Sequence, residues 1–516
     1  MMTVSVPVLH ASDPDQVLSA AILGTLESEA LRTYLGGRRW FGAKGRAMRS
    51  VEVEAAIPVT WGSAPRERYA IALLRMELED GTILRYQLPV ATVQVNDPLA
   101  EQALALVDTD GAQTHAVIDA TSLPAFRRGL GAAFRTGAEF TAAGRTWRVE
   151  PVGDTGVELP DESRVVGAEQ SNTSMIYGSH AICKLFRRLE PGENPDVEIS
   201  RFLSTRTGFR NTPHLLGVMH LEDAKGLSVA GMLSRFQPES QDAWAYAVAR
   251  ADAYLGAEEE GQGVNAFASD ARELGAVTRA LHEALSSDEN DPEFAPAFAT
   301  DEDVERWTET ALALLADGMT MLAARVDTLE SQSQAHARAL VKRRAALENH
   351  MRGLAGRVID SGDPGMRIRY HGDYHLGQVL RTREGRWMMI DFEGEPARPL
   401  EERRARHSPL RDVAGMMRSF AYAAATGAMN IGGVGRDPKV EIRAARWERE
   451  VREHFMSGYL AGGGAAADAL LPATADGTAA LLELLEAEKL FYELGYELDN
   501  RPAWTWIPLR GIAKLL

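Results

Sequence analysis

The stretch Arg369-Tyr370-His371-Gly372-Asp373-Tyr374-His375-Leu376-Gly377-Gln378-Val379-Leu380, followed by Met388-Met389-Ile390-Asp391-Phe392-Glu393-Gly394-Glu395, constrains this chain more than any other. It sets Asp373 in a short polar loop, an amide, Gln378, five residues later, and a second acid, Asp391, at the end of an apolar, strand-like run. Phosphoryl transfer needs that set: one acid orients the acceptor hydroxyl, while an amide and a later acid hold the magnesium that bridges the phosphates. A lone His-Gly-Asp tripeptide reads equally well as a polar turn. The amide at plus five and the strand-borne acid together turn the reading towards chemistry.

Composition narrows the field. A chain of 516 residues has room for roughly two to four domains and a well-buried core. Its net charge of -17 argues against a nucleic acid or an anionic membrane as the main partner. A single cysteine, Cys183, rules out an internal disulfide framework and fits a reducing compartment. Met1 to Asp13 lacks a basic region followed by an apolar core, and no run of about 18 apolar residues occurs, so a soluble, cytoplasmic protein is expected.

Apolar spacing predicts a helix over Gln16 to Tyr34, stopped by Gly36-Gly37. Arg38-Arg39-Trp40-Phe41-Gly42-Ala43-Lys44-Gly45 reads as a packed Trp-Phe pair with solvated cations. Two β-rich runs, Tyr69 to Leu78 and Ile83 to Val90, flank Glu79-Asp80-Gly81-Thr82, and an Asp-Gly pair in that position is a strong hairpin signal. A second β unit opens at Arg164-Val165-Val166-Gly167 and passes through the polar turn Ala168-Glu169-Gln170-Ser171-Asn172-Thr173-Ser174. It continues as Met175-Ile176-Tyr177 and returns as Ala181 to Phe186 with Lys184 on the outgoing strand. The usual glycines are missing, so Ser171, Asn172, Thr173 and Ser174 are the candidates to cover nucleotide phosphates, with Lys184 reaching the α and β phosphates. An ordinary hairpin with a polar tip fits the same residues.

Glu198 follows on a helix that Asn194 caps and Pro195 starts; it is the first candidate, and Asp196 the second, to hold the lysine. Gly231-Met232-Leu233-Ser234-Arg235-Phe236-Gln237 falls where an adenine-reading hinge belongs, with Ser234 and Phe236 as its candidates. From Asp242 to Arg357 helical periodicity dominates, over Trp244 to Leu255, Ala271 to Leu285, Val304 to Leu329 and Ala335 to Leu354, interrupted by the acidic loop Ser286 to Pro292. Asp412, at the start of a helix after Ser408-Pro409, is a candidate brace for the catalytic loop. His371 and His375 flank Asp373 and either position substrate or brace the loop. A Gly/Ala-rich segment, Leu460 to Ala467, precedes a last helix, Thr478 to Tyr496. On that helix Glu488, Tyr492 and Tyr496 form one stripe, read as sugar-binding or as core packing, with Arg501 and Trp504 just beyond.

These residues carry a family resemblance. Arg39-Trp40-Phe41, Ala168 to Ser174, Asn194 to Glu198, His371 to Arg381, Ile390 to Pro396, Ser408 to Ala414 and Glu493 to Arg510 resemble the bacterial maltokinases, within the aminoglycoside phosphotransferase-like, eukaryotic-like kinase group. The resemblance implies an α+β, bilobal protein-kinase-like fold. Its parts would be an N-terminal cap domain over 1–105, an intermediate β-rich region and nucleotide-binding lobe over 106–237, and a mainly α-helical C-terminal lobe over 238–516. It implies ATP- and Mg2+-dependent phosphorylation of maltose to maltose 1-phosphate, feeding α-glucan synthesis from trehalose, and association with a trehalose-converting enzyme. Asp373 would be the catalytic acid, Gln378 and Asp391 the metal ligands, and Arg418 would join His371, His375, Glu488, Tyr492, Tyr496, Arg501 and Trp504 around the sugar. Three alternatives stay open: a kinase for an amino sugar such as glucosamine or for an aminoglycoside-like acceptor, a metallohydrolase, and a catalytically inactive binding module.

Overall fold

Asp80-Gly81 turns the chain as its residues demand: Gly81 adopts φ 82°, and the strands Arg68–Leu78 and Ile83–Gln94 pair antiparallel on either side. The computed structural model describes residues 6–61, 68–153, 159–167, 171–257, 265–396, 398–432, 437–462 and 469–516. Ala168, Glu169 and Gln170 of the polar turn, and Gly463 to Ala467 of the Gly/Ala-rich segment, lie outside the described residues. The chain is α+β and divides into two compact units, Met1–Thr205 with Pro213–Pro238, and Arg206–Thr212 with Glu239–Leu516.

In the first unit that hairpin belongs to a sheet whose strands run in the spatial order Val8–His10, Ala105–Thr109, Ala112–Asp119, Ile83–Gln94, Arg68–Leu78, Met48–Thr60. The expected boundary at 105 therefore cuts the sheet. Its last hairpin turns at Asp110-Gly111, with φ 55° and 87°, the same Asp-Gly chemistry as at 80–81, set among polar residues that mask the strand alternation. The predicted helix over Gln16 to Tyr34 is also broken, into Pro14–Leu18, Ala20–Leu23 and Ser28–Gly36, with extended backbone at Ser19 and Glu27 between the pieces. One face of the sheet buries Leu31, Leu35 and Phe41. The other, with Ile57, Val59, Ile71 and Leu73, shares a core with Met175, Cys183 and Leu233 of a second sheet.

That second sheet runs Ala138–Ala142, Arg145–Pro151, Leu215–Asp223, Gly226–Arg235, Ala181–Phe186, Asn172–Tyr177, Ser163–Val165. Lys184 sits mid-strand, paired with Ser174 on one side and Met232 on the other.

The second unit is mainly helical. The segment expected as one helix over Ala335 to Leu354 is two, Ser331–Lys342 and Arg344–Asp360, separated at Arg343. A small sheet of Gln241–Asp242, Val379–Arg381 and Trp387–Met389 carries the polar loop and the second acid, anchored by Trp387, which has no exposed surface. Among the described residues no helix is long and apolar enough to cross a membrane.

Candidate active site

The loop 371–378 is fixed from beneath. Asp412, near the start of the helix Leu410–Asn430, is 1% exposed and accepts hydrogen bonds from the amides of His371 at 2.7 Å and Gly372 at 3.0 Å. His282 Nε2 lies 3.2 Å from the same carboxylate, and its Nδ1 lies 2.9 Å from the Tyr459 hydroxyl. Burial alone would raise the Asp412 pKa, but the bonds to His282 and the His371 amide outweigh it and hold the group below its ordinary value. The brace anticipated from sequence is thus present. Asp412→Ala leaves a buried histidine and two amides unmatched, so unfolding should become easier by about 3–5 kcal/mol, read as a lowered denaturant midpoint at unchanged m-value.

Gly372 has φ 86°, and a Cβ there would lie 3.1 Å from the Cα of Gly394, so loop and second-acid segment approach as only glycines allow. His371 is 1% exposed, donates from Nε2 to Ile390 O at 3.0 Å, and packs between Tyr374 and Phe392. It ties the loop to the segment that delivers Asp391. Of its two readings, substrate contact or loop brace, these contacts are those of a brace, and it does not line the aromatic cavity described below.

Asp373 is left between two nitrogen groups. Its Oδ1 lies 3.6 Å from Lys489 Nζ and its Oδ2 lies 3.9 Å from His375 Nε2. Burial pushes the His375 pKa down, and its Nδ1 accepts from the Gly377 amide at 3.0 Å, so the neutral ring carries its proton on Nε2, towards Asp373. Lys489 also pairs with Glu395. Burial alone would raise the Glu395 pKa, yet Lys489, Arg411 and Arg398 outweigh it and set it at about 2. Gln378 Nε2 donates to Asp391 Oδ2 at 3.1 Å, and Asp391 holds φ 66°, an uncommon conformation for a residue with a side chain. An amide and a carboxylate in contact form a donor set that fits magnesium, a hard cation that takes a few protein oxygens and keeps the rest of its shell for water and phosphate.

In the first unit Lys184 Nζ lies 3.2 Å from Asp196, the residue placed second in the sequence reading, and Asn194 Oδ1 caps the helix through the Asp196 amide at 2.8 Å. Glu198, placed first, is buried in the first turn of the same helix, Pro195–Arg206. The polar turn is shorter than expected. Asn172, Thr173 and Ser174 are buried within a strand, because pairing of Asn172–Tyr177 with Ala181–Phe186 extends to Asn172↔Phe186, and Ser171 alone of the four is exposed. Thr173 Oγ1 accepts from Arg187 Nε at 2.8 Å; Arg187 stacks 4.6 Å from the Trp40 ring, while Arg39 donates to Gly167 O at 2.8 Å. Trp40 and Phe41 are buried as a packed pair and Arg39 is exposed, while its guanidinium also ties down Gly167 at the start of that turn. Ser234 is buried at the end of the strand Gly226–Arg235, and the Phe236 amide bonds His180 O at 2.9 Å.

A cavity of about 290 Å³ opens beside His375, walled by Trp244, Tyr422, Tyr492, Tyr496 and Trp504, and also by Lys489, Glu493, Glu497, Arg418 and Arg501. Arg418 holds Glu493 at 2.9 Å, and Arg501 holds Glu497 at 2.6 Å, with the Tyr422 hydroxyl on Glu497 at 3.0 Å. Of the residues expected around the sugar, His375, Arg418, Tyr492, Tyr496, Arg501 and Trp504 meet here. Glu488 does not. It is 3% exposed and is taken up by Arg411 at 2.6 Å and Arg398 at 3.1 Å, so its place in the stripe is corrected. Lys489, Glu493 and Glu497 were missed although they repeat at the same four-residue interval. The helix Ala475–Asn500 presents two adjacent rows to the cavity, 492/496 and 489/493/497, and a helix face is wide enough for both.

Residues 34–122 match the maltokinase N-terminal cap domain. Across nearly all of its length the chain also takes the fold of a glucosamine kinase solved with glucosamine, ADP and inorganic phosphate: TM-score 0.63 at 21% identity, over 98% of this chain and all of that one. The chain is similar to maltokinases in its cap domain and to glucosamine kinases over most of its length. Crystal form B of glucosamine kinase gives TM-score 0.64 at 20% identity, over 96% of this chain and 99% of that one. Two glucosamine kinases are each 27% identical to it. That of Streptacidiphilus jiangxiensis aligns over 374 residues, 70% of this chain and 75% of its own; that of Mycolicibacterium smegmatis aligns over 357 residues, 68% and 79%. The cap match runs past 105 to 122, in keeping with the strand Ala112–Asp119 of the first sheet.

Proposed function

We propose that the protein transfers the γ-phosphoryl group of ATP to a neutral sugar, with maltose as acceptor and maltose 1-phosphate as product, feeding α-glucan synthesis from trehalose. The observation that supports a neutral acceptor is the charge balance of the aromatic cavity. Glu493 is matched by Arg418 and Glu497 by Arg501, with Lys489 beside them. An ammonium entering this cavity meets no unmatched carboxylate in its wall and a lysine near the catalytic acid. Aromatic faces and fixed polar groups suit a disaccharide. The second reading, an amino sugar as acceptor, is favoured by the names of the aligned relatives.

In the proposed mechanism Asp373 takes the proton of the anomeric hydroxyl as that oxygen attacks phosphorus, while Lys184 meets charge on the nucleotide phosphates. Gln378 and Asp391 would hold magnesium, which supplies positive charge to the phosphates when bound. Positioning and electrostatics carry the reaction, and no covalent enzyme intermediate is required. Incubation with ATP, magnesium and maltose should therefore consume the reducing end of the sugar in step with ADP release. ADP release with the reducing end intact would show that another hydroxyl, or water, is the acceptor.

Tyr492 is half-buried on the cavity wall, its ring 5.3 Å from Lys489 Nζ. Tyr492→Ala is expected to raise KM for maltose about tenfold, the value of one good aromatic contact, and to leave KM for ATP unchanged. Lost thermal stability at an unaltered maltose KM would make the tyrosine packing only.

A further inference from the structure

Lys489 reaches the catalytic loop from a helix far away in sequence, and nothing in the motif Arg369 to Leu380 calls for it. Its Nζ stands between Glu395, with which it forms an ion pair, and Asp373 Oδ1 at 3.6 Å. Glu395 is itself pinned by Arg398 Nε at 2.6 Å, and Arg398 is tied to Glu488 on the same helix as Lys489, one residue before it. The ammonium is thus held on both sides. Burial alone would lower the Lys489 pKa, but Glu395 and Asp373 outweigh it and raise it, so the group stays charged where it stands. Neutral His375 faces the other oxygen of Asp373. Lys489 is therefore the cation that Asp373 meets within its own unit, among the described residues.

We propose that Lys489, clamped by Glu395, is the positioning residue for Asp373: it holds Oδ1 and so turns Oδ2 towards the acceptor hydroxyl in the aromatic cavity. The inference rests on the phosphotransferase reading above and adds to it a reason why the tail helix that builds the sugar cavity must also be in place for chemistry. Lys489, Tyr492, Glu493, Tyr496 and Glu497 lie on one face of that helix, so the acceptor wall and the anchor of the base move as one body. An acceptor seated against the tyrosines is aligned with Asp373 through a single rigid element, which is where orientation gains its rate advantage.

The test compares Lys489→Met and Lys489→Arg in the full chain, with kinetics on the best acceptor and crystal structures of both variants. Lys489→Met is expected to lower kcat about a hundredfold, the usual effect of removing one fixed electrostatic partner, with KM for ATP unchanged and Asp373 rotated off the cavity. Lys489→Arg restores a cation and should recover at least a tenth of the wild-type kcat. A kcat within threefold of wild type in Lys489→Met, with Asp373 unmoved, overturns the proposal; so does an equal loss in both variants that tracks their melting temperatures. Should the wild type phosphorylate no sugar at all, the functional reading fails, while the Asp373 orientation in the Lys489→Met crystal still decides the positioning role.

Discussion

Asp373→Asn is expected to lower kcat by about two to four orders of magnitude, the usual contribution of a general base, while ATP affinity stays within twofold. The substitution keeps the shape of the side chain and the loop that Asp412 braces through the His371 and Gly372 amides, so a folding defect is not the cause. What is lost is the charge that accepts the proton of the hydroxyl. It also removes one of the two carboxylates facing Lys489, and Glu395 keeps that lysine in place. A variant with near-normal turnover would take Asp373 out of the mechanism.

Asp391→Ala should abolish measurable turnover and weaken binding of Mg-ATP far more than binding of metal-free ATP. Its carboxylate touches the Gln378 amide at 3.1 Å, and the backbone holds φ 66° to present it. The replacement leaves Gln378 as a single neutral ligand, too little for a cation that prefers hard anionic oxygen. The discriminating measurement is calorimetry with and without magnesium. Equal weakening of both nucleotide forms would contradict a metal-holding role.

Much of the fold was legible because local chemistry and tertiary structure agree. Asp80-Gly81 forces its hairpin, Asn194-Pro195 starts its helix, and the apolar run before Asp391 is a buried strand. Where the reading failed, a competing influence dominated. Asn172, Thr173 and Ser174 look like a loop by composition, but strand pairing claims them, and Thr173 is occupied by Arg187, just past the end of the next strand. His371 lies two residues before Asp373, yet the chain turns at Gly372, φ 86°, between them, and His371 packs into the core against Phe392. Glu488 shares a row with Tyr492, but two arginines separated from it by 77 and 90 residues draw it away. Lys489 had no sequence signal pointing to the loop 371–378, since the pairing of residues 373 and 489 is purely tertiary.

The most direct test of the account is the ratio of kcat/KM across maltose, glucosamine, glucose and an aminoglycoside, followed by ADP release with ATP and magnesium. A cavity whose carboxylates are matched by arginines predicts maltose as the best acceptor, with glucosamine at least tenfold poorer and gaining when the pH is raised to neutralise its amine. Turnover of glucosamine alone, with maltose silent, would contradict it.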